Sequence, residues 1–320
     1  MIKKIPLLLI LAMVLVSCVP VTVNEAPQFD LLVINGLVYD GLGGEPYQAD
    51  IGIIEDRIAA IGAGLGIARQ TIDAEGLAVA PGFINMLSWA TETSIEDGLS
   101  QGDIRQGVTL EVMGEGWSMG PLNEAMKAEY LKRQGDIRFD IEWTTLGDYL
   151  QYLEDKGVST NVASFVGATT VRIHELGFED RAPNAEELER MQALVSQAMR
   201  EGAMGIASSL IYAPAFYADT NELIALNKTA AEYGGRYISH LRSEGNQLLE
   251  AVDELITIAE GAQIGAEIYH LKVAGKNNWH KIEQVFEKIE AARATGLDIS
   301  ADMYNYTAGA TGLDAAMPPW

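Results

Sequence analysis

Cysteine is nearly absent from this chain of 320 residues: a single one, Cys18, excludes an intramolecular disulfide and any cysteine-rich zinc cluster. Basic residues are scarce too. Lys and Arg number 22 against 45 Asp and Glu, a formal charge of −23. The basic stripe of a phosphate-tracking nucleic-acid binder is therefore missing, and no nucleic-acid partner is expected. Only four histidines are present, so each is worth placing. What remains is 48% hydrophobic and 21% charged, the composition of a globular chain. Its length allows about two domains, or one large α/β barrel with an accessory module.

The first residues read as an export signal. Lys3 and Lys4 precede the apolar stretch Ile5 to Val16, which is shorter than the roughly 20 residues of a membrane-spanning helix. Leu15-Val16-Ser17-Cys18 closes it and resembles the lipobox of bacterial lipoproteins. That resemblance implies a signal peptide over residues 1–17, cut before Cys18, whose thiol then carries lipid. A tether over 18–28 with Pro20 and Pro27 follows, and the expected location is the bacterial cell envelope, anchored to membrane through the lipid.

Residues 29–80 have the two-residue period of strands. Leu31 to Ile34 and Leu37 to Tyr39 flank Asn35-Gly36, a hairpin signal, and further strands are expected at Asp50 to Ile54, Arg57 to Ile61 and Gln70 to Asp73. This predicts a small β module. After Pro81-Gly82 the pattern changes to short apolar runs alternating with amphipathic helices. Strands centre near Gly82, Leu110, Ser164, Ile206, Ile238, Ile268 and Ile299, at the spacing of βα units. Asn184 with Glu187 reads as a capping box and Gly202 as a stop; Asp219 with Glu222 repeats the design. Residues 81–320 thus form a parallel α/β sheet, closed as a barrel or open, with about seven strands.

His240 and His270 share a setting. Each ends a candidate strand, one βα unit apart, where a barrel's active site is built, and two neutral imidazoles there suit a divalent metal such as zinc. His174, in a loop beside Glu175, and His280 read as structural or peripheral. Arg242 and Lys272 each lie two residues past a candidate ligand. They either hold the carboxylate of an anionic substrate or pair with the many acidic residues. Asp302 to Tyr306 ends the last strand and adds polar groups. Gly114-Glu115-Gly116 is weakly like a dinucleotide loop, but its spacing differs and no acidic strand end follows. Its glycines are better read as letting Glu115 approach a site closely.

With these residues in view, the chain resembles the D-aminoacylase family, the N-acyl-D-amino-acid deacylases of the amidohydrolase superfamily. The likeness rests on Ala80-Pro-Gly-Phe-Ile84, Asn161-Val-Ala-Ser-Phe-Val-Gly167, Leu210-Ile-Tyr-Ala-Pro214, Ser239-His-Leu-Arg-Ser-Glu244 and His270-Leu-Lys-Val-Ala-Gly275. It implies an amidohydrolase-type (β/α)8 TIM barrel, here incomplete, with a small β-sandwich module. It also implies one divalent metal, zinc by preference, held by His240 and His270, and substrate contacts from Lys272 and Tyr304. The strand-one His-x-His of the superfamily is replaced by Leu87 and Trp89, and the family's cysteine is absent, with Glu115 or Glu111 the nearest substitute. The family's catalytic aspartate is expected beyond Trp320, so the chain is expected to be incomplete and inactive alone. Two functions follow from the resemblance: hydrolysis of the amide bond of N-acyl amino acids, most readily N-acyl-D-amino acids, or a catalytically inactive, lipid-anchored binding protein on the same scaffold.

Overall fold

The computed structural model describes residues 28–317, and its contacts divide the chain between Pro81 and Gly82. The export signal, Cys18 and the tether up to residue 27 lie outside the described residues. In the first unit β1 (Phe29–Val38), β2 (Tyr47–Ile54), β3 (Arg57–Gly62), β4 (Ala68–Asp73) and β5 (Ala78–Val79) form one sheet. Its order is β3-β2-β1-β4, with β5 also on β1. Val38, Ala49 and Ile51 make its small core.

The hairpin expected at Asn35-Gly36 is not formed. Both residues lie inside the continuous strand β1, where the register against β2 slips between Val33 and Gly36. Asn35 takes φ 60°, its N–H donates to Asp50 Oδ1 at 3.0 Å and its amide to Asp73 Oδ1 at 2.9 Å. The same left-handed backbone that suits a tight turn suits a β-bulge, and neighbouring carboxylates decide for the bulge. The turn at Glu55-Asp56 does join β2 to β3 antiparallel.

The second unit alternates strands with helices. Its strands are β6 (Phe83–Asn85), β7 (Val108–Met113), β8 (Asn161–Ser164), β9 (Val166–Gly167), β10 (Gly205–Ser209), β11 (Arg236–His240), β12 (Ala266–Ile268) and β13 (Ile299–Ala301). Two short helices, α1 (Thr93–Glu96) and α2 (Gln101–Ile104), and then α3 (Glu124–Arg133) and α4 (Leu146–Lys156) lie among the first strands. After them come α5 (Ala168–Leu176), α6 (Ala185–Arg200), α7 (Thr220–Ala231), α8 (Leu248–Ala262) and α9 (Ile282–Ala294). All pairings here are parallel, in the order β6-β7-β8 and β9-β10-β11-β12-β13. Only Phe165 separates β8 from β9, so they are one strand position and the array has seven among the described residues. Among the described residues β6 and β13 each keep one unpaired edge.

Strand side chains alternate between two cores, as the pleat requires. Met113, Val166, Ile206, Tyr237 and Ile268 join the helices, where Leu153, Met191, Leu223, Leu226, Val252 and Val285 are buried. Val112, Phe165, Ala207, Ile238 and Tyr269 pack on the other face, with Met86 and Leu87 against them. Each fully buried aliphatic side chain contributes roughly 1.5–3 kcal/mol to this assembly.

Helix starts follow the capping residues. Asn184 caps α6 reciprocally with Glu187, through bonds of 3.0 and 2.8 Å. Asp219 caps α7 from Glu222 N–H at 2.8 Å, but no reciprocal bond forms, because the Glu222 carboxylate is buried against Arg172 at 2.6 Å. His174, expected in a loop, is on α5 and pairs with Glu175 at 2.9 Å.

Candidate metal centre

Three elements bring one ligand each to the C-terminal ends of the parallel strands. His240 is the last residue of β11, His270 lies two residues past β12, and Glu115 sits in the loop after β7. That loop needs its glycines. Gly114 has φ 108°, and a Cβ on it would stand 2.4 Å from the Phe165 carbonyl oxygen; on Gly116, with φ 67°, it would meet Ser209 Cβ at 2.6 Å. Only a backbone without side chains on both sides of Glu115 reaches this position.

Glu115 Oε1 lies 3.0 Å from His240 Nδ1 and 3.3 Å from His270 Nε2. The three residues are buried, and each offers a ligand atom within 4.8 Å of the others. Two imidazole nitrogens and a carboxylate are a fitting donor set for a divalent transition metal. Glu111, the alternative carboxylate, instead accepts a bond from Asn85 at 3.0 Å.

The charges are set locally. Burial alone would push the Glu115 carboxyl up, but hydrogen bonds from His240 and His270 outweigh it and hold its pKa at about 2. Burial likewise opposes charge on His270, yet its bonds to Glu115 and Glu244 raise it to about 9. Glu244, four residues after His240, connects the outer nitrogens. Its Oε1 is 3.2 Å from His270 Nδ1 and 3.8 Å from His240 Nε2, a nitrogen that is buried without a hydrogen bond. A carboxylate behind a ligating imidazole fixes its tautomer and orientation.

His270 has an unusual backbone, φ 38°, in the left-handed region that a non-glycine residue enters at a cost. Its N–H donates to Asp302 Oδ1 at 2.6 Å, which ties the strained residue to the end of β13. Lys272 donates to Glu244 Oε1 and to the His270 carbonyl, and its ammonium lies 5.6 Å from the centre of the Tyr304 ring. Tyr304 is also 6.4 Å from the His270 ring, so both rim residues border the cluster.

Arg242 is employed elsewhere. It forks onto Glu254 at 2.8 and 2.9 Å and onto the Phe216 and Ala218 carbonyls, so of its two sequence readings the structure shows pairing with an acidic residue. Leu87 turns into the apolar inner face, and Trp89 donates its indole N–H to Glu115 Oε2 at 3.1 Å. Sequence reasoning assigned no role to Glu244 or to the indole of Trp89, and gave Asp302 only a general polar one. Only the four-residue step from His240 to Glu244 was a usable signal, since it places both on one short loop.

No protein-family model matches the chain. Among known proteins it is similar to the D-aminoacylase of Alcaligenes xylosoxydans xylosoxydans, 35% identical over 295 residues, which covers 91% of this chain and 60% of that relative. A solved structure of D-aminoacylase, studied for one-metal activation and second-metal attenuation of its binuclear centre, superposes with a TM-score of 0.78 at 34% identity, covering 87% of this chain and 59% of that one. The N-acyl-D-glutamate deacylase of Bordetella bronchiseptica, complexed with zinc and a phosphonate mimic of the tetrahedral intermediate, gives 0.76 at 30% identity, with 87% and 59% covered. The chain thus spans about three fifths of the length of each of these proteins.

Proposed function

We propose that this chain, a homologue of the D-aminoacylases over about nine tenths of its length, serves a metal-dependent amidohydrolase that cleaves the amide bond of anionic N-acyl-D-amino acids. The observation that carries this reading is the meeting of Glu115, His240 and His270 at the strand ends. A divalent metal held by Glu115, His240 and His270, zinc in the first instance, would supply Lewis-acid polarisation of the amide carbonyl and lower the pKa of a bound water. With neither Leu87 nor Trp89 able to coordinate, one tightly held ion is expected.

The chain's own residues do the rest. Lys272 and Tyr304 border the cluster and receive the substrate carboxylate. In this structure Lys272 is paired with Glu244, so an anionic substrate competes with Glu244 for the ammonium, while Glu244 stays behind His270. None of the described residues is assigned the transfer of the proton to the leaving amine. Attachment through Cys18 would place the activity at the cell envelope.

Metal analysis of the full gene product, with Glu115→Gln, His240→Ala and His270→Ala, tests the reading alongside assays on N-acetyl-D- and N-acetyl-L-amino acids. One equivalent is expected, lost in each variant together with hydrolysis of the D-substrates. Two equivalents would refute the single site. A metal-loaded protein that binds these substrates without cleaving them would favour a binding protein instead.

A further inference from the structure

We propose that Trp89 is a positioning residue for the metal centre: its indole N–H holds Glu115 Oε2, so that Oε1 alone is presented to the ion. The inference rests on the metal-site reading above. The two oxygens of Glu115 already have separate partners. Oε1 faces His240 and His270, whereas Oε2 is bound by Trp89 Nε1 at 3.1 Å. An indole nitrogen donates and does not accept, so this residue orients the ligand and cannot become one.

Packing does not account for the side chain. Trp89 is 60% exposed, outside both apolar cores of its unit, while its single polar atom is tied to a carboxylate that is only 7% exposed. Its backbone is fixed on both sides. Ser88 N–H donates to the Val112 carbonyl at 2.8 Å, and Ala90 N–H to Ser88 Oγ at 3.2 Å. The segment after β6 is thereby registered against β7, whose following loop carries Glu115. A carboxylate with one oxygen restrained binds as a single-oxygen ligand, which favours a low coordination number; released, it can turn both oxygens to the ion. Loss of such an outer hydrogen bond commonly weakens a metal site about 10–100-fold.

Cobalt(II) titration of the full-length protein and its Trp89→Phe variant, read by visible absorption, tests this. The variant is expected to bind about 10–100-fold more weakly. Its absorption bands should be less intense as the coordination number rises, while its thermal melt, for so exposed a residue, stays unchanged. Trp89→Gln, which keeps a side-chain N–H donor without adding an imidazole, should bind more tightly than Trp89→Phe. Equal affinity and equal spectra in wild type and Trp89→Phe would overturn the role of Trp89 and leave the site standing. A wild type that takes up no cobalt would overturn the site itself and this inference with it.

Discussion

Glu115 keeps its charge in a buried place because two imidazoles stand against one of its oxygens, and His270 keeps its proton for the same reason seen from the other side. This has a consequence for the metal-free protein. The folded pKa of Glu115, about 2, lies below its ordinary 4.5, so its contribution to stability is present above 4.5 and is lost as pH falls through 2. The folded pKa of His270, about 9, lies above 6.5, so its contribution is complete below 6.5 and is lost as pH rises through 9. Thermal melts in a chelator should therefore be highest between these limits and decline from neutral pH toward 9. His270→Gln is expected to flatten that alkaline decline; a decline of the same size in the variant would show that another group causes it. At this scale the setting of the two histidines at strand ends was legible in the sequence, whereas the choice between Glu115 and Glu111 was open there, because it depends on the path of the loop after β7. Trp89 and Glu244 were not legible, since a second layer is chosen by reach and direction, which spacing does not encode.

Among the elements, the loop after β7 is the most constrained. Gly114→Ala would set a methyl group against the Phe165 carbonyl in a left-handed conformation, at a cost of about 1–3 kcal/mol. Because the loop yields more easily than the strand, Glu115 should shift. The expected result is a metal affinity lowered more than tenfold with a modest drop in Tm, measurable by competition with a chromogenic chelator. Unchanged affinity would mean that the loop has slack. The seven strand positions were readable from apolar runs at βα spacing, and the start of α6 from Asn184 with Glu187. Asn35-Gly36 misled because a dipeptide reports a local φ angle, whereas Asp50 and Asp73, distant in sequence, settle whether the chain reverses or bulges. Glu222 misled in the same way: the local rule for a cap lost to a buried arginine from α5.

For the molecule as a whole, a charge of −23 gathers cations and repels anions. An anionic substrate of the class proposed above would approach against that field, so raising salt from about 20 to about 200 mM, which shortens the Debye length, should lower KM severalfold at constant kcat. A KM that rises with salt would show that local cations near Lys272 dominate. The export reading is tested separately: labelled fatty acid should enter the protein in a bacterial host, and Cys18→Ala should abolish the label. Finally, Val112, Phe165, Ala207, Ile238 and Tyr269, with Leu87, lie on the inner face of the strands, one step or more back from the ligands along each chain. The candidate ligands therefore stand on an apolar floor that offers an ion no further donor, so an ion held there would meet polar partners only on the rim side, where Trp89, Lys272 and Tyr304 stand.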